Sequence, residues 1–210
     1  MTAFLGILAL IASYLLGSLS GGLLLGRLFG QQDLRASGSG NPGATNALRA
    51  GGKGYGAAVL IFDLLKGVVA AGVIPLVIVG AGPAWAFLCG AAAVLGHVYP
   101  LYYGFRGGKG AATLIGVLLV LLPAALGIAV LVWLAVLVAT GFVGLATMLG
   151  MITVALWCII THAAVDAATV FVVAMTLLVF YTHRGNIARM RAGTENRFTR
   201  VMLRKPSSHS

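Results

Sequence analysis

The sequence predicts an all-α integral membrane protein of about seven transmembrane helices, with its N-terminus outside and its C-terminus in the cytoplasm. Three observations carry this. The 210-residue chain is 60% hydrophobic and only 9% charged, with a mean hydropathy of +1.03, too few charges to coat a soluble domain. Its apolar residues come in runs near the roughly 20 needed to span a bilayer as a helix. Its 14 Lys and Arg stand against 4 acids, a net +10, and most of them fall between those runs. There they report topology and anionic substrates or headgroups rather than nucleic acid.

The predicted spans follow in order. Phe4–Gly26 opens the chain with no Lys or Arg before Arg27; lacking the basic start of a signal peptide, it reads as a retained span. Tyr55–Val79 and Pro83–Tyr103 come next. The run Gly110–Thr140 reads either as one tilted span, giving six, or as two spans broken near Pro123, giving seven. Leu145–His162 and Val165–Tyr181 complete the set. Charge separates six from seven. With seven, Arg27, Arg35, Arg49 and Lys53, then Arg106 and Lys109, then the Arg-rich C-terminal tail share one side, as cytoplasmic loops do. The two spans flanking Pro123 are then short and would thin the bilayer locally. Residues 1–205 form one domain, and 206–210 a disordered tail. Cys89 and Cys158 lie in apolar runs and read as buried thiols, neither disulfide nor metal ligands.

Three polar islands interrupt this chain, and seven spans place all of them on the cytoplasmic face. The first is SGSGNPGATNALRAGGKG at 37–54. Asn41-Pro42 has the form of a helix start, with Asn as cap and Pro at the first helical position; the helix would stop at Gly51-Gly52. Asn41, Thr45 and Arg49 then share one face. Gly38, Gly40 and Gly43 leave backbone N–H groups unshielded beside an Arg fork, a combination suited to phosphate. A purely structural re-entrant turn is the plainer reading.

The second island, GFRGGKGAAT at 104–113, sets Lys109 among Gly107, Gly108 and Gly110 before Thr113 re-enters the membrane. Gly110 stands where a nucleotide-binding P-loop requires Ser or Thr, so an ATPase is not supported. An anion nest with one ammonium fits the glycines better than a plain basic loop does. His97, just upstream, reads equally as a ligand or as a hydrogen-bonded bundle residue.

In the third island, YTHRGNIARMRAGTENR at 181–197, His183 and Asn186 are one turn apart, with Arg189 one turn further and Glu195 the acid able to orient them. Arg200, Arg204 and Lys205 read as contacts to anionic lipid. Asp63 and Lys66, three apart inside the second span, read as an intrahelical ion pair. His162 and Asp166 fall in a short outer loop.

Together these segments resemble the bacterial acyl-phosphate:glycerol-3-phosphate acyltransferases, small integral inner-membrane enzymes. SGNPGATNALR (39–49), GHVYPLYYGFRGGKGAAT (96–113) and HRGNIARMRAGTENR (183–197) are similar to the three cytoplasmic motifs of that family, with Met190 where Leu is usual and Arg197 where Lys is usual. FDLLKG at 62–67 also fits. The family commonly carries an Arg and a Ser at the turn between its fifth and sixth spans, where this chain has Gly141, Phe142 and Gly144.

The resemblance implies acyl transfer from acyl phosphate to the sn-1 hydroxyl of glycerol 3-phosphate, with no cofactor and no metal. Substrates and membrane lipids are then the partners. Arg49, Lys109, His183 and Asn186 are expected to hold glycerol 3-phosphate. Ser39, Gly40, Asn41, Gly43, Thr45, Asn46, Gly107, Gly108, Gly110 and Thr113 are expected to cradle acyl phosphate, with His97, Arg189 and Glu195 in support. The base is His183 or a substrate phosphate. A transporter of an organic anion is the competing class, since broken helices also mark carriers, but the sequence shows no inverted repeat.

Overall fold

The computed structural model describes residues 2–80, 82–162 and 164–203. The 206–210 tail, with Arg204 and Lys205 before it, lies outside them. All regular structure among the described residues is helical, the form in which a lipid-embedded backbone satisfies its own polar groups. The residues fall into two compact units, Met1–Leu122 and Pro123–Ser210.

The first unit contains α1 (Thr2–Ser18), α2 (Gly21–Leu28), α3 (Ala44–Val68), α4 (Ile74–Val79), α5 (Pro83–Val98) and α6 (Ala111–Leu121). The first predicted span is not one helix, because α1 and α2 are bent by 49° across Leu19-Ser20. The helix after the first island begins at Ala44, with Gly43 as its N-cap and no side-chain cap, so Asn41 does not cap it. Gly52, at φ 83° and ψ −175°, then breaks α3 where the sequence placed a stop. Beyond α3 the chain makes a π-helical turn, Val69–Val73, before Pro75 in the first turn of α4. Proline has no N–H to give and crowds the carbonyl four residues back, which accounts for the widened turn.

Small residues set the packing. α1 lies on α5 and α3 on α6. Gly17 faces the Ala93 carbonyl, Gly96 that of Tyr14, Gly67 that of Thr113 and Gly116 that of Leu64. A Cβ at any of the four would collide with backbone, so these helices touch main chain to main chain, as small residues permit in membranes.

The second unit contains α7 (Pro123–Thr140), α8 (Val143–Thr161), α9 (Ala167–Thr182) and α10 (Arg184–Arg191). The long apolar run is therefore two helices, broken at Leu122 with Pro123 opening the second. α8 packs against both α7 and α9. Trp133 Nε1 donates to Thr147 Oγ1 at 3.3 Å across the first of these contacts. Thr176 Oγ1 donates to the Met151 carbonyl at 3.3 Å across the second. Asp166 caps α9, accepting from Thr169 N at 2.8 Å and Thr169 Oγ1 at 2.9 Å. These bonds hold its carboxyl at a pKa of about 2, with the His162 ring contributing after the Thr169 amide.

Among the described residues, four helical segments are long and apolar enough to cross a membrane, or up to six if each bent pair is one span, and α6 is a shorter apolar helix. Large apolar side chains such as Val77, Leu131, Ile160 and Leu177 are exposed, which suits lipid and not water.

Candidate functional site

In the first unit, residues 31–43 form a loop folded around one side chain. Asn46, 1% exposed, accepts from Ser39 N at 3.1 Å and donates to the carbonyls of Leu34 at 3.1 Å and Ser37 at 3.0 Å. Both amide hydrogens and the oxygen of Asn46 are thus bonded to the loop, which the side chain braces. Gly38 has φ +57°, and its missing Cβ leaves the space that Asn46 Oδ1 occupies. Gly40 is also left-handed and donates to Ser37 O at 3.0 Å. Leu34 is buried against Ala47, Tyr55 and Val59, pinning the loop to α3. Asn41 folds its amide over Gly43, where a Cβ would lie 2.7 Å from Nδ2. Ser39 and Thr45 are half-buried and Arg49 is exposed.

The second island is held just as tightly. The amides of Gly107 and Gly108 donate to Val98 O at 3.2 Å and His97 O at 3.1 Å. They are therefore committed to the end of α5, which corrects the expectation that they are unshielded anion donors. Gly108 sits directly on His97 Nε2. Gly110, at φ +83°, turns the chain into α6. Lys109 between them is half-buried, and Thr113 is fully buried. His97 is 2% exposed, and its Nδ1 lies 2.9 Å from Lys66 Nζ and 3.4 Å from Asp63 Oδ1. It therefore belongs to a buried ion cluster, and the Asp63–Lys66 pair has a third member.

A contact ties the residues just before the first island to those just before the second. Arg35 grips Asp33 through Nε and Nη2, the shortest distance being 2.6 Å, and donates through Nη1 to Tyr103 O at 3.2 Å. The Arg35 guanidinium bonded to Asp33 holds that carboxyl below its ordinary range. Sequence reading missed this pair; two opposite charges flanking one buried leucine were the available signal.

In the second unit, Asn186 Nδ2 donates to Glu195 Oε1 at 2.8 Å, and Arg189 Nε donates to Glu195 Oε2 at 2.7 Å. Glu195 orients both, as its position implied. His183, 4% exposed, places Nδ1 2.8 Å from the Val179 carbonyl. A carbonyl only accepts, so Nδ1 carries the hydrogen and, in the neutral ring, Nε2 carries the lone pair. Gly144 of α8 lies against the Asn186 amide, a seat the sequence did not reveal. Beside it, Phe198 N donates to Gly141 O at 2.8 Å, and the Arg197 guanidinium stacks 4.7 Å from the Phe142 ring centre.

Comparison with known proteins agrees along nearly the whole chain. The family model described as glycerol-3-phosphate acyltransferase matches residues 7–193. A glycerol-3-phosphate acyltransferase of Nitrobacter winogradskyi is 46% identical over 195 residues, covering 91% of this chain and 95% of its own. One from Halalkalibacterium halodurans is 40% identical over 200 residues, covering 93% and 97%. Among solved structures, the glycerol 3-phosphate form of PlsY (YgiH), an integral membrane glycerol 3-phosphate acyltransferase, superposes with a TM-score of 0.84 at 37% identity. It covers 92% of this chain and 95% of that one. The lysophosphatidic acid form of the same protein superposes with a TM-score of 0.82, at the same identity and coverage.

Proposed function

The chain belongs to the glycerol-3-phosphate acyltransferase family and is an integral membrane acyltransferase, and on that premise we propose that its acyl donor is acyl phosphate. The acceptor is the sn-1 hydroxyl of glycerol 3-phosphate. The products are 1-acylglycerol 3-phosphate and inorganic phosphate, the first step of phospholipid synthesis.

The observation that supports this chemistry best is the fixed tautomer of His183. With Nδ1–H held by Val179 O, Nε2 is the acceptor for the hydroxyl proton as the hydroxyl oxygen attacks the acyl carbonyl carbon. The bond from that carbon to the phosphate oxygen breaks, and its electron pair leaves with phosphate. Acyl phosphate is already activated, so orientation and charge neutralisation suffice without an acyl-enzyme. Arg49 and Lys109 supply cations for the phosphates, while Asn186, held by Glu195, binds glycerol 3-phosphate. Ser39 and Thr45 offer hydroxyls to the acyl phosphate. The braced loops around Asn46 and Gly108 hold these groups in place, which is the contribution that preorganisation makes to catalysis.

The same reading gives seven spans in a bacterial inner membrane, N-terminus out and C-terminus in, with the basic loops facing the cytoplasm. The distribution of Lys and Arg supports it, as does the division of the long apolar run at Pro123.

The test is direct. Purified protein given acyl phosphate and glycerol 3-phosphate should release phosphate, and Lys109→Ala should abolish that release. No turnover by the wild type, or full turnover by the variant, defeats the proposal. Acyl-CoA and acyl carrier protein as alternative donors should be inert.

A further inference from the structure

The buried ions of the first unit have no place in the chemistry just described. Asp63 and Lys66 on α3 and His97 on α5 are 1%, 3% and 2% exposed. Lys66 Nζ lies 2.8 Å from Asp63 Oδ1 and 2.9 Å from His97 Nδ1. It also donates to the carbonyls of Gly17 at 2.9 Å and Leu19 at 2.8 Å. Asp63 Oδ1 accepts from Gly21 N at 3.2 Å, while its Oδ2 is buried with no hydrogen-bond partner among the described residues. Burying such charges is costly, and a well-packed apolar cluster would hold helices together at least as well. The network therefore needs a reason beyond cohesion.

Its contacts supply one. Gly17 O and Leu19 O are backbone acceptors at the end of α1, and Gly21 N is the first donor of α2, so the network ties the two sides of the bend. Beyond the bend, Gly22 packs directly on the Pro42 carbonyl, and its own carbonyl accepts from Tyr55 OH at 2.5 Å. That face of α2 is the floor of the first island. On the other side, His97 Nε2 abuts Gly108, whose amide donates to His97 O at 3.1 Å.

We propose that Asp63 and Lys66 are positioning residues that hold the two glycine loops, 38–43 and 107–110, in register with each other, through the α1–α2 bend on one side and through His97 on the other. Neither touches substrate. The kinetic consequence rests on the acyltransferase reading above; the positioning itself does not.

A single charge removal leaves its partner buried and unpaired, so the informative variant is the double Asp63→Leu/Lys66→Met, which removes both charges at similar volume. Three readouts are taken on detergent-purified protein: Tm, kcat and KM for glycerol 3-phosphate, and hydrogen exchange of backbone amides. The variant should fold, its KM should rise about tenfold with a smaller change in kcat, and exchange at 38–43 and 107–110 should quicken about fivefold or more with α8 unchanged. An unchanged KM with unchanged loop exchange overturns the proposal, as does exchange that quickens equally throughout the chain. If the double variant does not fold, Gly108→Ala presses a Cβ on His97 without touching either charge. Faster exchange at both 107–110 and the α1–α2 bend then supports the proposal, and an unaltered bend overturns it. Should the wild type itself fail to acylate glycerol 3-phosphate, the functional reading falls while the exchange measurement still decides the positioning.

Discussion

Gly144 lies beneath the side chain of Asn186, so close that a Cβ would stand 3.0 Å from its Cγ and Nδ2. The Asn186 amide is thereby held where it meets Glu195 at 2.8 Å. The Gly144→Ala variant should therefore shift the amide by a few tenths of an ångström and weaken its bond to the carboxylate. Outright loss of a hydrogen bond to a charged group costs about 1.5–3 kcal/mol, so a weakened one should lower kcat/KM by less than about tenfold. Retained activity would show that Asn186 yields without consequence.

His183 is the next position to change. As proton acceptor it should contribute about 10²–10⁴ to kcat, so His183→Ala should lower kcat by that order, together with a fall in Tm because the buried ring and its bond to Val179 O are lost. If a substrate phosphate oxygen takes the proton instead, the loss appears in KM and kcat stays near the wild-type value. Single-turnover kinetics separate the two.

Asn46 bonds the loop at three points, so its replacement should be felt first as stability. Asn46→Ala strips the donor from Leu34 O and Ser37 O and the acceptor from Ser39 N. A loss of about 2–4 kcal/mol is expected, since each buried group left unmade costs about 1–3 kcal/mol. Thermal unfolding measures it. An unchanged Tm with lost activity would return Asn46 to the substrate.

Asp166 gives a pH test. Its carboxyl pKa is lowered to about 2 by the Thr169 bonds and the His162 ring. A depressed carboxyl contributes stability that is full above its unfolded value, about 3.9, and is lost as pH falls through the folded one. The Tm gap between wild type and Asp166→Ala should be level at neutral pH and close between roughly pH 4 and pH 2. A gap that persists at the acid end would mean the cap does not depend on the charge.

How legible was all this in the chain? The break between α6 and α7 was legible through charge, because only two spans meeting near Pro123 put the basic loops on one side, and Pro123 does open α7. The bend between α1 and α2 was not legible. Leu19-Ser20 carries no proline, and the ammonium that secures the bend belongs to Lys66, 47 residues further on. Asn46 and Asn186 look alike in sequence, yet one braces backbone and the other pairs with a carboxylate. Both are buried, and only the fold shows which groups each one bonds. Glycine misled in a similar way. Gly107 and Gly108 suggested bare amides, whereas their value is the absence of side chains where His97 and the end of α5 press against them. The Asn41 cap failed for a local reason, since Gly43 fills that role and Asn41 folds over it.

α6 is eleven residues long and rises about 16 Å, roughly half of a hydrocarbon core of about 30 Å. On the seven-span reading proposed above, lipid around so short a rod thins, or the loop at its start sits below the headgroups. In either case the gap between water and oil at Lys109 narrows. For a fatty substrate this is a saving, because each methylene drawn out of lipid costs about 0.8 kcal/mol. On that reading, a reaction centre at that depth would let the acyl tail stay dissolved in the bilayer while only the small, water-borne reactant makes the journey.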